Sequence, residues 1–396
     1  MISVSEASEQ IMAAVTRGDA ETLPIGEAYG RVLRSNVTAE RPFPPFDRVM
    51  MDGVAIQHRP WTEGMRRFRR AGFASAGAPQ QSLCNPNDAI EAMTGAVVPA
   101  GADLIVPVEQ LKWEEGYVTI AADYVPPEGG YIHKMGSDAV AGGILLPAGS
   151  RLDARAMAVA VSCGASEVRV SRQPRIAVVS TGDELIDVGQ PIAPHQIRRS
   201  NVYALQATLR SRGYTDVSLH HFADDPEVLM TGLGRVLDEH DCVILSGGVS
   251  VGARDHIPAT LVTLRARTVF HRVAQRPGKP MLFAVRGHTL IFGLPGNPVS
   301  TLVGLCRFVL PALEQWTAAA PHLPLKVKLG EAVDFSPALT CFLPVSWDCT
   351  SAGVVLPRPT ANSGDFAALV GTNGFIELPA EMSHFEPGFL APWYAW

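Results

Sequence analysis

What the sequence lacks narrows the field first. Its six cysteines, Cys84, Cys163, Cys242, Cys306, Cys341 and Cys349, are scattered and form no CxxC pair. In a chain of 396 residues that spacing predicts reduced, mostly buried thiols, and argues against a disulfide framework or a cysteine zinc site. No apolar run approaches the roughly 20 residues that span a bilayer. The opening Met1-Ile2-Ser3-Val4-Ser5-Glu6 has no basic region followed by an apolar stretch, so no secretory leader is expected and a soluble, cytoplasmic protein is. Positive charge is also in deficit. A formal net charge of −6 offers no general attraction for nucleic acid or an anionic membrane surface. The one basic run, Arg66, Arg67, Arg69 and Arg70, reads as a solvated loop or strand edge.

Familiar catalytic signatures are missing too. There is no GxSxG elbow and no Ser-His-Asp order. Gly278-Lys279-Pro280 places proline where a phosphate-binding P-loop needs Ser or Thr, and the GxxxxGK spacing is absent. His195, His220 and His221 share no metal-ligand spacing with Cys or Glu, so surface or loop roles are expected for them.

What is present is turn-rich and globular. Thirty-six Gly and 31 Pro, with 47% hydrophobic and 18% charged residues, suit a mixed architecture of two to four domains. Ser5 is placed to cap a first helix whose apolar stripe is Val4, Ala7, Ile11 and Val15. Between about Met50 and Lys134, short runs such as Ala89–Met93 and Leu104–Val108 alternate with turns, which predicts a β-rich module. A helix follows from about Asp153 to Gly164.

From Pro174 onward the chain alternates strands and helices. Ile176–Val179 is a short apolar run suited to a parallel sheet; a helix over Asn201–Arg212 stops at Gly213. Val217 and Leu219 mark a strand, Glu227–Glu239 a helix, and Val243–Leu245 a third strand. Strands near Met281–Phe283 and Leu290–Phe292 precede a helix starting at Asn297-Pro298. This is the pattern of a doubly wound α/β domain, with ligands expected beyond the carboxyl ends of the strands. After about Pro321 the helical period vanishes and short strands predict a small β-barrel or sandwich.

Three loops follow strands of that domain: Ser180-Thr181-Gly182-Asp183-Glu184, Ser246-Gly247-Gly248-Val249-Ser250-Val251-Gly252, and Gly293-Leu294-Pro295-Gly296-Asn297-Pro298. Glycines admit close backbone approach, while hydroxyls, peptide N–H groups and helix N-termini at Asp255 or Asn297 favour an anion. Any one loop alone is an ordinary turn; three at one sheet edge predict an anion site. Arg276 and Lys279 can neutralise oxyanion charge. Asp183, Glu184 and Asp255, with Asp224 or Asp225, would repel the same anion, so a divalent cation with oxygen ligands, Mg²⁺, is expected between them. Helix capping explains Asp225 as readily as metal binding does.

Read together, these segments resemble the molybdopterin molybdenumtransferase family, whose eukaryotic relative is the C-terminal domain of gephyrin. The similarity runs in order through Pro45-Phe46-Asp47, Met51-Asp52-Gly53, Thr94-Gly95-Ala96, Pro99-Ala100-Gly101-Ala102-Asp103 and Gly136-Ser137-Asp138. It continues through Ser180–Leu185, Ser246–Gly252, Pro277-Gly278-Lys279-Pro280 and Gly293–Ser300.

The resemblance implies an α/β multidomain protein: a discontinuous helical domain (1–45 and 135–172), a β-rich domain (46–134), an α/β domain of the molybdopterin-binding type (173–318) and a C-terminal β-barrel (319–396). It implies an elongated homodimer whose cleft lies between the α/β domain of one subunit and the β module of the other. The implied reaction inserts molybdate into adenylated molybdopterin with release of AMP, using Mg²⁺, as the last step of molybdenum cofactor assembly. Transient contact with the adenylyltransferase and with recipient molybdoenzymes is a further implication.

On this resemblance Glu184, Asp255 and Asp225 fall to the metal, with Glu184, Asp255, Lys279, Asp52 and Asp138 in catalysis. Ser246, Gly247, Gly248 and Ser250 would cradle the pterin phosphate. Arg276 would add positive charge, Pro295 and Pro298 would shape the molybdate side, and Asp52, Thr94 and Asp138 would come across the dimer cleft.

Four positions depart from the usual pattern. Arg48 stands where the family commonly has Asn, His133 where it often has Arg, Arg199 where it often has Asp, and Arg276 where it often has Lys. The alternatives are a divergent paralogue that holds the pterin as carrier or scaffold, and an adenylyltransferase acting one step earlier. The additional domains at both ends argue against the second.

Overall fold

The computed structural model describes residues 1–127, 129–249, 256–321, 323–360, 362 and 364–396. Ser250 and Asp255 therefore lie outside the described residues. The chain divides into two compact units. One comprises 36–147 and 154–168; the other comprises 1–35, 148–153 and 169–396.

The chain enters the larger unit with helix α1, Val4–Ala14. Its cap is Ser3, not Ser5. Ser3 Oγ accepts from Glu6 N at 3.1 Å and Glu6 Oε2 accepts from Ser3 N at 2.7 Å. That reciprocal capping box needs Glu three residues after the serine, and only Ser3-x-x-Glu6 supplies it here. Ser5, inside the first turn, turns to Glu9. Val4, Ala7 and Ile11 bury the apolar stripe in the larger unit's main core.

In the smaller unit a ribbon begins with β1, Arg48–Val49. A six-stranded sheet follows from β2 (Gly53–Ile56), β3 (Arg67–Ala74), β4 (Asp88–Ala92), β5 (Leu104–Pro107), β6 (Leu111–Glu114) and β7 (Tyr117–Ile120), in the order β5-β2-β4-β3-β7-β6. Period-two alternation sends Ala55, Ile90 and Ile105 to one face and Val54, Ile56, Ala89, Leu104 and Val106 to the other, and each face has its own core. The basic run is no edge: β3 is interior. Its arginines are paired across strands, Arg69 with Asp88 at 2.9 Å and Arg67 with Glu114 at 3.1 Å. Strand β8, Ile132–His133, closes the ribbon antiparallel to β1, with His133 opposite Arg48. Helix α2, Ala154–Ser162, ends before Gly164, whose φ is +84°.

In the larger unit the α/β sheet is built from β9 (Ile176–Thr181), β10 (Val217–Phe222), β11 (Cys242–Ser246), β12 (Arg267–His271), β13 (Leu282–Arg286) and β14 (Thr289–Leu294). The order is β10-β9-β11-β14-β13-β12. The first four are parallel, and β13 is antiparallel to both of its neighbours, β14 and β12. Helices α3 (Ser200–Ser211), α4 (Pro226–Glu239), α5 (Ile257–Thr263) and α6 (Pro298–Gly304) pack against the sheet. β9 and β11 are fully buried, as expected for strands covered on both faces. Cys242 and Cys306 are buried there, and burial pushes both thiols well above the usual cysteine range, Cys306 to about 12. Cys84 and Cys349 are exposed.

The C-terminal strands are β15 (Leu325–Leu329), β16 (Thr340–Trp347), β17 (Val354–Pro357), β18 (Gly374–Leu378) and β19 (Leu390–Ala395). Pairings β16–β17, β17–β15, β15–β19, β19–β18 and β18–β16 close a ring. It is a barrel, which removes its own edges, around Val327, Leu343, Val345, Val355 and Ile376. Among the described residues, no helix is long and apolar enough to cross a membrane.

Candidate functional site at the carboxyl edge of the parallel sheet

Register brings the strand ends together. Ser180 on β9 lies opposite Ser246 on β11, and Ser246 lies opposite Leu294 on β14. The three loops leave this edge side by side and touch. A Cβ placed on Gly296 would be 3.6 Å from Gly247 Cα, and one on Gly248 would fall 2.9 Å from Thr181 Oγ1. Gly247 and Gly248 have φ of +97° and +66°, a backbone that β-branched residues rarely adopt.

Hydrogen bonds knit the edge. Asn201 Nδ2, in the first turn of α3, donates to Gly296 O at 2.7 Å and to Ser246 Oγ at 3.0 Å. Thr301 Oγ1 donates to Pro295 O at 2.6 Å, holding the turn that carries Pro295 and Pro298. Neither Asn201 nor Thr301 stood out in the sequence, although Asn in a first helical turn is a poor helix former and so a signal of its own. The phosphate-cradle reading needs one correction: Gly247 N–H donates to Leu294 O at 3.0 Å, because the sheet ladder runs one residue past β11, so that donor is spent.

The carboxylates sort themselves by partner. Glu184 is exposed, and its carboxylate folds over Gly182, where a Cβ would lie 2.5 Å from Oε2. Asp183 Oδ1 accepts from Asp224 N at 3.3 Å. Asp225 is corrected from metal ligand to helix cap: Oδ1 accepts from Glu227 N and Val228 N at 2.9 and 3.0 Å, at the start of α4. Among the described residues no three His, Cys, Asp or Glu form a metal-holding group.

His220 and His221 are not loop residues, as expected from sequence, but sit half-buried on β10. His221 Nδ1 lies 3.1 Å from Ser180 Oγ. Burial, then the nearby Arg199 guanidinium, holds its pKa below the usual histidine value. His195 is exposed on a loop, as expected. Beside them a groove of about 550 Å³ is lined by Asp183, Ile186, Asp187, Gln190, Arg199 and His221. Arg199, largely buried, pairs with Asp187 Oδ2 at 3.4 Å. Asp187 is held below the ordinary carboxylate range by the Tyr203 hydroxyl first, then by Val188 N–H and Arg199.

Lys279 is exposed on the turn after Gly278, whose Cβ would lie 3.9 Å from Ser300 Cβ in α6, so this turn approaches the first turn of that helix. Arg276 is in a short strand that pairs with β16, and its guanidinium lies 5.9 Å from the Phe335 ring centre. The remaining candidates belong to the smaller unit. Asp52 Oδ1 accepts from Thr94 N and Thr94 Oγ1, both at 2.7 Å, which lowers its pKa. Asp138 Oδ1 accepts from His133 Nε2 at 2.8 Å, and that bond, before any other cause, lowers its pKa.

A buried parallel sheet with hydroxyl- and glycine-lined loops at one edge, followed by a closed barrel, defines a multidomain α/β protein whose candidate site lies beyond the strand ends. Residues 177–315 match the family described as a probable molybdopterin binding domain. Residues 2–164 match the MoeA N-terminal region (domain I and II), and 326–396 the MoeA C-terminal region (domain IV). The chain is 40% identical to a molybdopterin molybdenumtransferase of Synechocystis sp. over the whole of both chains. It is 32% identical to that of Staphylococcus epidermidis, covering 98% of this chain and 94% of the relative. A solved molybdopterin biosynthesis MoeA protein from Pyrococcus horikosii is similar at 26% identity, with a TM-score of 0.80, over 100% of this chain and 99% of that one. The chain belongs to the molybdopterin molybdenumtransferase family.

Proposed function

We propose that this chain carries out the last step of molybdenum cofactor assembly, transferring molybdenum from molybdate to adenylated molybdopterin with release of AMP. The observation that carries the reading is the meeting of three strand-end loops at one sheet edge, two of them tied by Asn201, in a chain with all three family regions. Ser246 and Gly248 line the phosphate side, where Ser250 would join them. Lys279 and Arg276 supply positive charge, and Pro295 and Pro298 form the molybdate wall. Asp52, Thr94 and Asp138 complete the site from a second copy in a homodimer. The protein works in the cytoplasm, receives substrate from the adenylyltransferase and hands product to molybdoenzymes.

The oxygen-only donors at the edge suit Mg²⁺, which binds through one or two carboxylates plus substrate phosphates. Glu184 and Asp255 would hold it. Bound there, the ion offsets the repulsion between these carboxylates and an anionic substrate. The chain's own groups bind, orient and exclude water around the reacting atoms.

The test is AMP release from adenylated molybdopterin by purified protein with molybdate and Mg²⁺. Release should stop on chelation of the metal and fall at least a hundredfold in Asp255→Asn, with folding intact. AMP release no faster than without enzyme, while the pterin still binds, would falsify the catalytic reading and favour a carrier.

A further inference from the structure

Two of the sequence departures, Arg48 and His133, lie 85 residues apart in sequence yet are partners. Strands β1 and β8 set them opposite each other, and Arg48 Nη2 lies 3.0 Å from His133 Nδ1. The other ring nitrogen, Nε2, lies 2.8 Å from Asp138 Oδ1. Ser137 Oγ donates to the same Oδ1 at 3.2 Å.

Donor chemistry fixes the protons. A guanidinium has only donors, so Nδ1 must present its lone pair to Arg48. In the neutral ring the proton then sits on Nε2 and is donated to the carboxylate. The neighbouring cation, Lys134, is turned instead to Asp47 Oδ2 at 2.8 Å, so Arg48 is the cation facing this imidazole. Asp138 itself is anchored through its backbone, Asp138 N donating to Phe43 O at 2.9 Å.

We infer that Arg48 is a positioning residue for the transfer reaction: by holding His133 in the Nε2–H tautomer, it orients the Asp138 carboxylate toward the substrate. The inference rests on the reading of Asp138 as part of the site. Arg48 touches no reacting atom; it acts through the ring, as an orienting partner acts on a metal-bound or catalytic histidine.

The test joins a spectrum to kinetics. Long-range ¹⁵N–¹H spectra of the histidine-labelled full chain, with His133→Phe assigning the signal, should show Nε2 protonated and Nδ1 bare. In Arg48→Met the single tautomer should be lost. AMP release should fall about tenfold in kcat/KM, the scale of one charge-assisted hydrogen bond, and Arg48→Lys should recover part of it. In a His133→Phe background, Arg48→Met should cost nothing further.

A wild-type proton on Nδ1, or an equal loss from Arg48→Met with and without His133, overturns the relay. Normal turnover by Arg48→Met beside slow Asp138→Asn does the same. Normal turnover by Asp138→Asn instead removes Asp138 from the site, whatever the spectrum shows.

Discussion

The sheet edge and the β1–β8 ribbon are two solutions to the same task of presenting polar groups. At the edge, the polar atoms are largely buried. Ser246 and Thr301 are 4% and 1% exposed, and their shape comes from glycine backbone and short hydrogen bonds. In the ribbon, the polar atoms are charged side chains, with the Asp138 side chain 57% exposed. An edge of the first kind cannot be altered without disturbing the fold, because buried polar groups left unpaired cost stability. A ribbon of the second kind can be re-wired at little cost, since exposed ion pairs contribute little. Arg48 and His133 fall in the region where change is cheap.

Gly247→Val should break the comparison hardest. Its φ of +97° forces a β-branched residue into strained backbone, costing about 1–3 kcal/mol. Turnover should be abolished alongside a lowered urea midpoint. Loss of turnover with an unchanged midpoint would mean that the edge behaves like the ribbon. Asn201→Ala comes next. It removes the donor shared by Gly296 O and Ser246 Oγ, for about 1–2 kcal/mol and at least a tenfold loss in kcat/KM. Full activity there would show that the loops hold their places without it.

The smallest effect is in pH. Burial holds His220 and His221 below the ordinary histidine value, so the unfolded chain takes up protons first as pH falls. Stability should be intact above about 6.5 and decline below it, until the folded rings also protonate. His221→Phe should flatten that decline in urea titrations at stepped pH; an identical pH slope would remove His221 from the account.

Local signals were legible because they need only neighbours in sequence. The apolar runs at Ile176–Val179 and Val243–Leu245 fall within β9 and β11, since a strand buried on both faces must be apolar throughout. The C-terminal strand-rich region was legible as barrel or sandwich, but the β18–β16 pairing that closes it is a matter of long-range register. Asp225 read equally as ligand or cap, and only the direction of its carboxylate toward Glu227 N and Val228 N decided it. Ser3 prevailed over Ser5 because a capping box depends on the helix phase relative to Glu6.

By itself, then, the amino-acid order determined where strands end, which loops are rich in glycine and hydroxyls, and which family they resemble, because these are properties of short contiguous segments. Tertiary structure alone decided that Asn201 bridges two loops, that Gly247 has no donor to spare, and that Arg48 meets His133. Those facts depend on residues tens of positions apart being brought within about 3 Å, which is set by sheet register and packing and is invisible along the chain.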